Sequence, residues 1–390
     1  MVKNIVAKFI ENNSFDKYVV AYSGGVDSQA LLHAFAQLVP EKVVAFHVNH
    51  GISKNAQKWE DFCSKNAADF GVQFKVAHFD LKGVSNLEDK ARIARYGAFS
   101  EVIDINTTLL TGHHMDDQVE TFFLNLMRGS GIDGLAAMPE VKEFHTGYHS
   151  RPFLNISKDD LKEYAIANNL LWVEDESNDD SIYDRNFIRN EVMPLIKTRW
   201  DNAAKSISKS VSHIQSSKKY IESKFNEIDI DFKKESIEIE TLLKLDDYEQ
   251  KELVRNWVLF NLGKRASLNM INSIFDNIIP AKDDAKMKWE QKGYFISRFS
   301  GKLFFVKTTR KQYDLDDIIK KAGIKIDKSE LTFKTRVSGA KIKVNGINKE
   351  VKKLFQVFMI PVWERDTIPF IYYGETLISV GGIINDSEYQ

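Results

Sequence analysis

Six residues near the start, Ser23-Gly24-Gly25-Val26-Asp27-Ser28, stand between an apolar run and the helical pattern QALLHAFAQL. Adjacent glycines let a backbone turn tightly and bring N–H groups against a ligand, and the helix that follows aims the positive end of its dipole at an anion. Phosphate suits such a loop. Ser23 and Ser28 add hydroxyl donors, whereas Asp27 would repel phosphate unless a cation lies between them, so the loop implies a nucleotide with Mg²⁺. No GxxxxGK[ST] order is present, which excludes a Walker A loop. A second dense stretch, Thr111-Gly112-His113-His114-Met115-Asp116-Asp117-Gln118-Val119-Glu120-Thr121, follows another apolar run. On a helix, His113 with Asp117 and Asp116 with Glu120 are four apart, and Asp117 with Glu120 three apart, so carboxylates converge near the helix start. That clustering suits a cationic substrate. Either histidine could receive a proton, cap the helix or simply pack, and the spacing leaves all three open. Arg92 and Arg95, three apart, share one face of another helical pattern.

These residues need elements to hold them. Short apolar runs at Tyr18 to Tyr22, Lys42 to Val48, Gln73 to Phe79 and Thr108 to Thr111 are each followed by ten or more amphipathic residues. This alternation predicts βαβ units and a parallel sheet, with the loops after the strands gathered along one edge. Both chemical stretches fall in such loops. The pattern runs to Pro194 and Trp200, after which SISKSVSHIQSSKKYIESKF reads as a long polar helix. From about Ile228 to Lys307 helices such as Tyr248 to Leu262 and Ser267 to Ile279 end in strand-like GYFISRF and KLFFVK. The last segment sets strand-like LTFKTRV, KIKVN, FIYYG and TLISVGG around a helical run from Lys349 to Phe355, a small α+β module.

Composition narrows the function classes. A chain of 390 residues exceeds what one core usually supports. The net charge of −1, from 54 Lys and Arg against 55 Asp and Glu, argues against an unselective nucleic-acid binder and requires any RNA contact to come from local patches. A single cysteine, Cys63, leaves no internal disulfide and too few thiolates for a structural zinc or iron–sulfur site, which fits a reducing cytoplasmic compartment. No segment approaches the roughly 20 apolar residues that span a bilayer, so no membrane association is expected.

The loop Ser23 to Ser28 resembles the SGGxDS signature of the PP-loop, or N-type, ATP pyrophosphatases, which cut ATP between its α and β phosphates. Other stretches resemble one branch of that superfamily, the tRNA(Ile)-lysidine synthetases. His47-Val48-Asn49-His50-Gly51 is similar to their HVNHGLR element, with Ile52 and Ser53 in place of its last two residues. ARIARYGAF, holding Arg92 and Arg95, is similar to ARxxRY, and residues 111–121 closely resemble TGHHxDDQxET. Arg128-Gly129-Ser130-Gly131, Arg151-Pro152-Phe153-Leu154 and WVEDESNDDSIYDRNFIRNEVMP match further elements; in the last, Asp175, Ser177, Asn178, Arg185, Asn186 and Arg189 are the matching positions. VWERDTIPFIYYGETLISVGG, with Trp363, Arg365 and Asp366, resembles the C-terminal pattern, while the basic Gly-Gly element upstream is reduced to Arg336-Val337-Ser338-Gly339.

The resemblance implies an α/β fold: a Rossmann-like PP-loop domain over residues 1–204, a mainly helical middle domain over 205–314, and a C-terminal α+β tRNA-recognition domain over 315–390. It implies a cytoplasmic ligase that joins free L-lysine to C2 of the wobble cytidine in the CAU anticodon of tRNA(Ile), through an adenylated cytidine, with ATP and Mg²⁺. Carried over by position, ATP contacts fall on Ser23, Gly24, Gly25, Val26, Asp27, Ser28, His47, Asn49 and Gly112, with Asp27 as metal ligand. Asp117 and Glu120 would hold the lysine ammonium, which must lose a proton before attack because its ordinary pKa is near 10.4. Asp27, Asp117, Glu120 and Arg92 form the expected catalytic set, and Arg128, Arg185, Arg189 and Arg365 the expected tRNA contacts.

Overall fold

A computed structural model describes the chain apart from residues 52–54, 81–86, 175–183, 227–234, 283–284, 286, 292, 309–312, 336 and 390. The described residues form two compact units, Met1–Ser223 and Lys224–Gln390. The first is built on a six-stranded sheet: β1 (Lys17–Ala21), β2 (Val43–Asn49), β3 (Gln73–His78), β4 (Thr107–Leu110), β5 (Val141–Phe144) and β6 (Gly147–Ser150). Their order is β3-β2-β1-β4-β6-β5; all neighbours are parallel except β5, which pairs antiparallel with β6. The first four strands lie within a residue of the apolar runs. The β5–β6 hairpin is an addition that those runs did not predict.

Alternation along the strands explains why both sheet faces are covered, since successive side chains point to opposite sides. Tyr18, Val20, Ala45 and Leu110 join one core with Val6 and Phe9 of α1 (Val2–Asn12), Leu31 and Phe35 of α2 (Val26–Ala36), and Cys63 and Ala67 of α3 (Ala56–Asp69). Val19, Phe46 and Leu109 face the other way, onto Ala98 and Phe99 of α4 (Leu87–Ser100). Four strands in the order 3-2-1-4 place a topological switch between β1 and β4. Ligands of open α/β sheets bind outside the carboxyl ends of the strands at such a point. The loops leaving β1 and β4 are the two stretches singled out from sequence, and α5 (Met115–Met127) starts directly after the second.

The unit from Lys224 to Gln390 contains helix Asp247–Leu262, begun by the Asp246 side chain on the Glu249 N–H and ended by Gly263 at a φ of 66°. Its Trp257 is fully buried and meets Phe305 edge-on in a four-stranded antiparallel sheet that includes Tyr294–Phe299 and Lys302–Lys307. The C-terminal segment adds a sheet of Leu331–Lys334, Phe370–Tyr373, Thr376–Val380 and Ile384–Asn385 beside the hairpin Lys341–Val344 and Ile347–Glu350. Trp363 packs against Phe295, Phe299 and Phe304, with ring centroids 5.4–6.0 Å apart, so this segment shares core contacts with the preceding sheet. Among the described residues no helix is long and apolar enough to cross a membrane.

Candidate active site

The loop after β1 is shaped by its glycines and tied by its serines. Gly24 takes a φ of +84°, and a Cβ there would also lie 3.0 Å from the sulfur of Cys63. Gly25 then caps α2 in extended conformation, leaving the first N–H groups of the helix without intrahelical acceptors. Ser28 donates to the Gly25 carbonyl at 3.0 Å, and its hydroxyl lies 3.1 Å from that of Ser23. Val26 opens the helix beside Asp27. The result is a short turn whose N–H groups and hydroxyls converge, the equipment for holding phosphate oxygens.

Gly112 brings the second loop against the first. A Cβ at Gly112 would lie 3.0 Å from the carbonyl carbon and oxygen of Asp27 and 3.2 Å from its Cβ. Any side chain there would press the two loops apart. His114, buried beneath this contact, has Nε2 at 3.8 Å from Asp27 Oδ2 and 3.4 Å from Asp117 Oδ2, and Nδ1 at 3.6 Å from Asp116 Oδ2. Asp27 Oδ1 is buried and has no hydrogen-bond partner. Burial raises the Asp27 carboxyl above its ordinary range, and the charge of His114 only partly opposes this. A cation would satisfy that oxygen and restore the charge, so Asp27 fits a magnesium ligand. No described group of three or more His, Cys, Asp or Glu residues could hold a metal without other ligands. This matches the usual habit of Mg²⁺, which binds one or two carboxylates and completes its shell with phosphates and water.

Asp117 and Glu120 are not bare carboxylates waiting for a substrate. Arg185 donates to Asp117 Oδ1 at 2.9 Å and to Glu120 Oε2 at 2.6 Å; Arg189 donates to Glu120 Oε1 at 2.6 Å and to Asp117 Oδ1 at 3.3 Å. Asp117 Oδ2 also accepts the His114 N–H at 3.0 Å, capping α5. Burial pushes the Asp117 carboxyl up, but His114, Arg185 and His113 together hold it below the usual range. Burial likewise pulls Arg189 down, and its bonds to Glu120 more than reverse that. Sequence treated the two carboxylates as substrate ligands and the two arginines as RNA contacts. The structure joins them into one four-membered ionic cluster, reaching 65 to 72 positions along the chain. Asp116 is engaged elsewhere, accepting the Lys158 N–H at 3.1 Å with the Lys197 ammonium at 3.6 Å.

The remaining expected residues divide by location. His47 is buried, donating from Nδ1 to the Tyr22 carbonyl at 2.9 Å, and burial lowers its pKa. Asn49 donates to Glu60 at 2.8 Å and accepts the Gly51 N–H at 2.9 Å, so its amide shapes the loop after β2. Arg92 is exposed on α4 and stacks its guanidinium 5.1 Å over the Tyr96 ring. Arg128 ends α5, eleven residues or about 16 Å of helix beyond Asp117. Arg365 belongs to the other unit, where it donates to the Ile360 carbonyl at 2.9 Å and lies 5.8 Å over Phe355. Ile52, Ser53, Asp175, Ser177, Asn178 and Arg336 lie outside the described residues.

Two polar residues at the site carried no expected role. His149 and Arg151, at the end of β6 and just beyond, are buried beside Thr111. Arg151 appeared in a matching stretch, but nothing in a GYHSRP segment signals that its strand joins β4. Gln118 clamps the loop after α5 by exchanging two bonds with the backbone of Met138, at 2.7 and 2.9 Å.

The chain resembles known proteins over most of its length. Residues 1–196 match the PP-loop domain, and residues 331–390 match the TilS substrate C-terminal domain. The tRNA(Ile)-lysidine synthase of Legionella pneumophila (strain Paris) is 34% identical over 395 residues, covering 94% of this chain and 91% of that protein. That of Coxiella burnetii is 34% identical over 408 residues, covering 96% and 91%. That of Photobacterium profundum is 31% identical over 413 residues, covering 96% and 93%.

Proposed function

The chain belongs to the tRNA(Ile)-lysidine synthase family, and from that membership we propose that it is an ATP-dependent ligase that joins L-lysine to C2 of the wobble cytidine in a CAU anticodon. One observation carries this reading to the residues here: Gly112 presses on Asp27, so that the phosphate loop and the Asp117–Glu120–Arg185–Arg189 cluster are parts of one site. A reaction that activates one substrate with ATP and then attacks it with an amine needs both halves within a few ångströms.

In the proposed sequence the C2 oxygen of cytidine attacks the α-phosphorus of ATP held at Ser23 to Ser28, and pyrophosphate leaves. The lysine ε-amine, having lost a proton, then attacks C2; the C2–O bond breaks and AMP departs with that oxygen. Mg²⁺, when bound at Asp27, would neutralise phosphate charge and orient the leaving group. The loop N–H groups and the Ser23 and Ser28 hydroxyls hold the phosphates. Asp117 and Glu120 hold lysine, whose ammonium takes the place of a guanidinium on one of the carboxylates. Arg185 or Arg189, thus released, turns to an RNA phosphate, which would couple lysine and tRNA binding. Arg92, Arg128 and Arg365 supply further phosphate contacts or stabilise developing charge. In this scheme residues 1–204 carry out the chemistry, 205–314 connect, and 315–390 read the tRNA. The product would pair with adenosine in place of guanosine, and the tRNA would be charged with isoleucine in place of methionine.

The test is incubation with ATP, labelled lysine and defined tRNA transcripts. Label is expected on the tRNA bearing the cytidine-starting anticodon, with one AMP formed for each lysine joined. Absence of label, or labelling without formation of AMP and pyrophosphate, would overturn the reading.

A further inference from the structure

Four side chains, the buried Arg151, His149 and Thr111 and the half-buried His113, form a continuous chain of hydrogen bonds at the loop after β4. Arg151 NH2 lies 3.1 Å from His149 Nδ1, His149 Nε2 lies 2.9 Å from Thr111 Oγ1, and Thr111 Oγ1 lies 2.7 Å from His113 Nδ1. Arg151 is fixed in place: it is 5% exposed, its NH1 donates to the Pro139 carbonyl at 3.0 Å, and its own N–H bonds to Glu140.

The inventory of donors and acceptors leaves one consistent assignment. A guanidinium has only donors, so His149 Nδ1 must be the acceptor and the His149 proton must reside on Nε2. Thr111 Oγ1 accepts that proton's bond. Its own hydroxyl hydrogen then has His113 Nδ1 as its acceptor; a proton on that nitrogen would turn the hydroxyl into a double acceptor and leave its own buried hydrogen without an acceptor in this chain of bonds. We infer that Arg151 and His149, acting through Thr111, are positioning residues that fix His113 as the neutral imidazole protonated at Nε2. His113 is thereby a hydrogen-bond donor at its remaining nitrogen, suited to an anionic oxygen of a bound substrate, and not the base that deprotonates lysine. That functional role rests on the proposed ligase reading, whereas the tautomer does not. The surroundings agree: burial, then Arg151 and neighbouring cations, pull His149 down to about 2, and burial pulls His113 down to about 4 despite Asp117 nearby.

The experiment uses the full chain labelled with ¹⁵N at histidine, and ring-nitrogen shifts and long-range proton couplings assigned to His113 by comparison with His113→Gln. The wild type is expected to show a neutral ring with the proton on Nε2 from about pH 8 to about pH 5. Thr111→Val keeps the shape and removes the hydroxyl; it should give a mixture of tautomers and lower kcat roughly tenfold with little change in the KM for ATP or lysine. Thr111→Ser should restore both spectrum and rate. A proton on Nδ1, an imidazolium at pH 7, or an unchanged tautomer in Thr111→Val would overturn the inference. The expected spectra in a chain that joins no lysine would uphold the relay and remove only the ligase reading.

Discussion

Adding one methyl group at Gly112 should separate the two halves of the site. The Cβ of Gly112→Ala would stand 3.0 Å from two backbone atoms of Asp27, whereas carbon contacts are comfortable from about 3.5 Å. The neighbours are main chain and cannot rotate aside, so the loops must part by about 0.5 Å. Backbone strain adds nothing to this, because Gly112 does not use a positive φ. Overpacking of this kind costs about 1–3 kcal/mol. For a unit of this size that lowers Tm by about 2–12 °C. Misplacing reacting groups by about 1 Å can cost 10²-fold in rate, so half that displacement predicts a loss of roughly tenfold. Initial rates of lysine incorporation at saturating ATP, together with a thermal melt, measure both effects. Gly97→Ala is the control: an added Cβ there meets nothing within 4 Å, and the change should leave the rate alone and stabilise α4 by about 0.5–1 kcal/mol. A Gly112→Ala protein with wild-type rate and Tm would refute the idea that a bare backbone is required where the loops meet.

Asp27→Asn should abolish ligation yet raise Tm. A carboxyl that titrates higher in the folded chain than in the unfolded one destabilises the fold above its unfolded pKa, and the penalty disappears as pH falls below the folded value; a lower Tm in magnesium-free buffer at pH 7 would contradict this. Asp117 has the opposite sign: its folded pKa is depressed, so its contribution is present above the unfolded pKa and is lost as acid protonates it. Asp117→Asn should therefore flatten the fall of stability below about pH 4, and an unchanged acid limb of the stability profile would count against the assignment. Glu120→Gln leaves Asp117 as the one carboxylate bonded to two guanidiniums, and Arg189→Met leaves Glu120 buried with one partner fewer; each should cost about 2–4 kcal/mol, and the double variant clearly less than the sum. Additive losses in a denaturation cycle would show that the pair is not coupled. Trp363→Ala should destabilise the Lys224–Gln390 unit by about 2–3 kcal/mol, since the indole meets three phenylalanines of the neighbouring sheet; a melt indistinguishable from wild type would argue that these contacts carry little of its stability.

Much of the first unit was legible in the sequence because its determinants are local. The apolar runs of β1 to β4 need no distant partner to be recognised, and a glycine loop between strand and helix states its own geometry. The same holds for the convergence of Asp117 and Glu120, which helix periodicity alone brings onto neighbouring turns. What the sequence could not state was who stands opposite those groups. Arg185 and Arg189 reach the two carboxylates across 65 or more positions, and the same arginine is equally suited to RNA phosphate and to a buried acid until the fold chooses. His149 is the sharper case: β6 is four residues long with little apolar character, and it becomes a strand of this sheet only by pairing with β4. That pairing sets His149 against Thr111, so a property as specific as which nitrogen of His113 holds a proton is decided by tertiary packing, because hydrogen-bond donors and acceptors acquire their roles only from the partners that the fold brings within 3 Å.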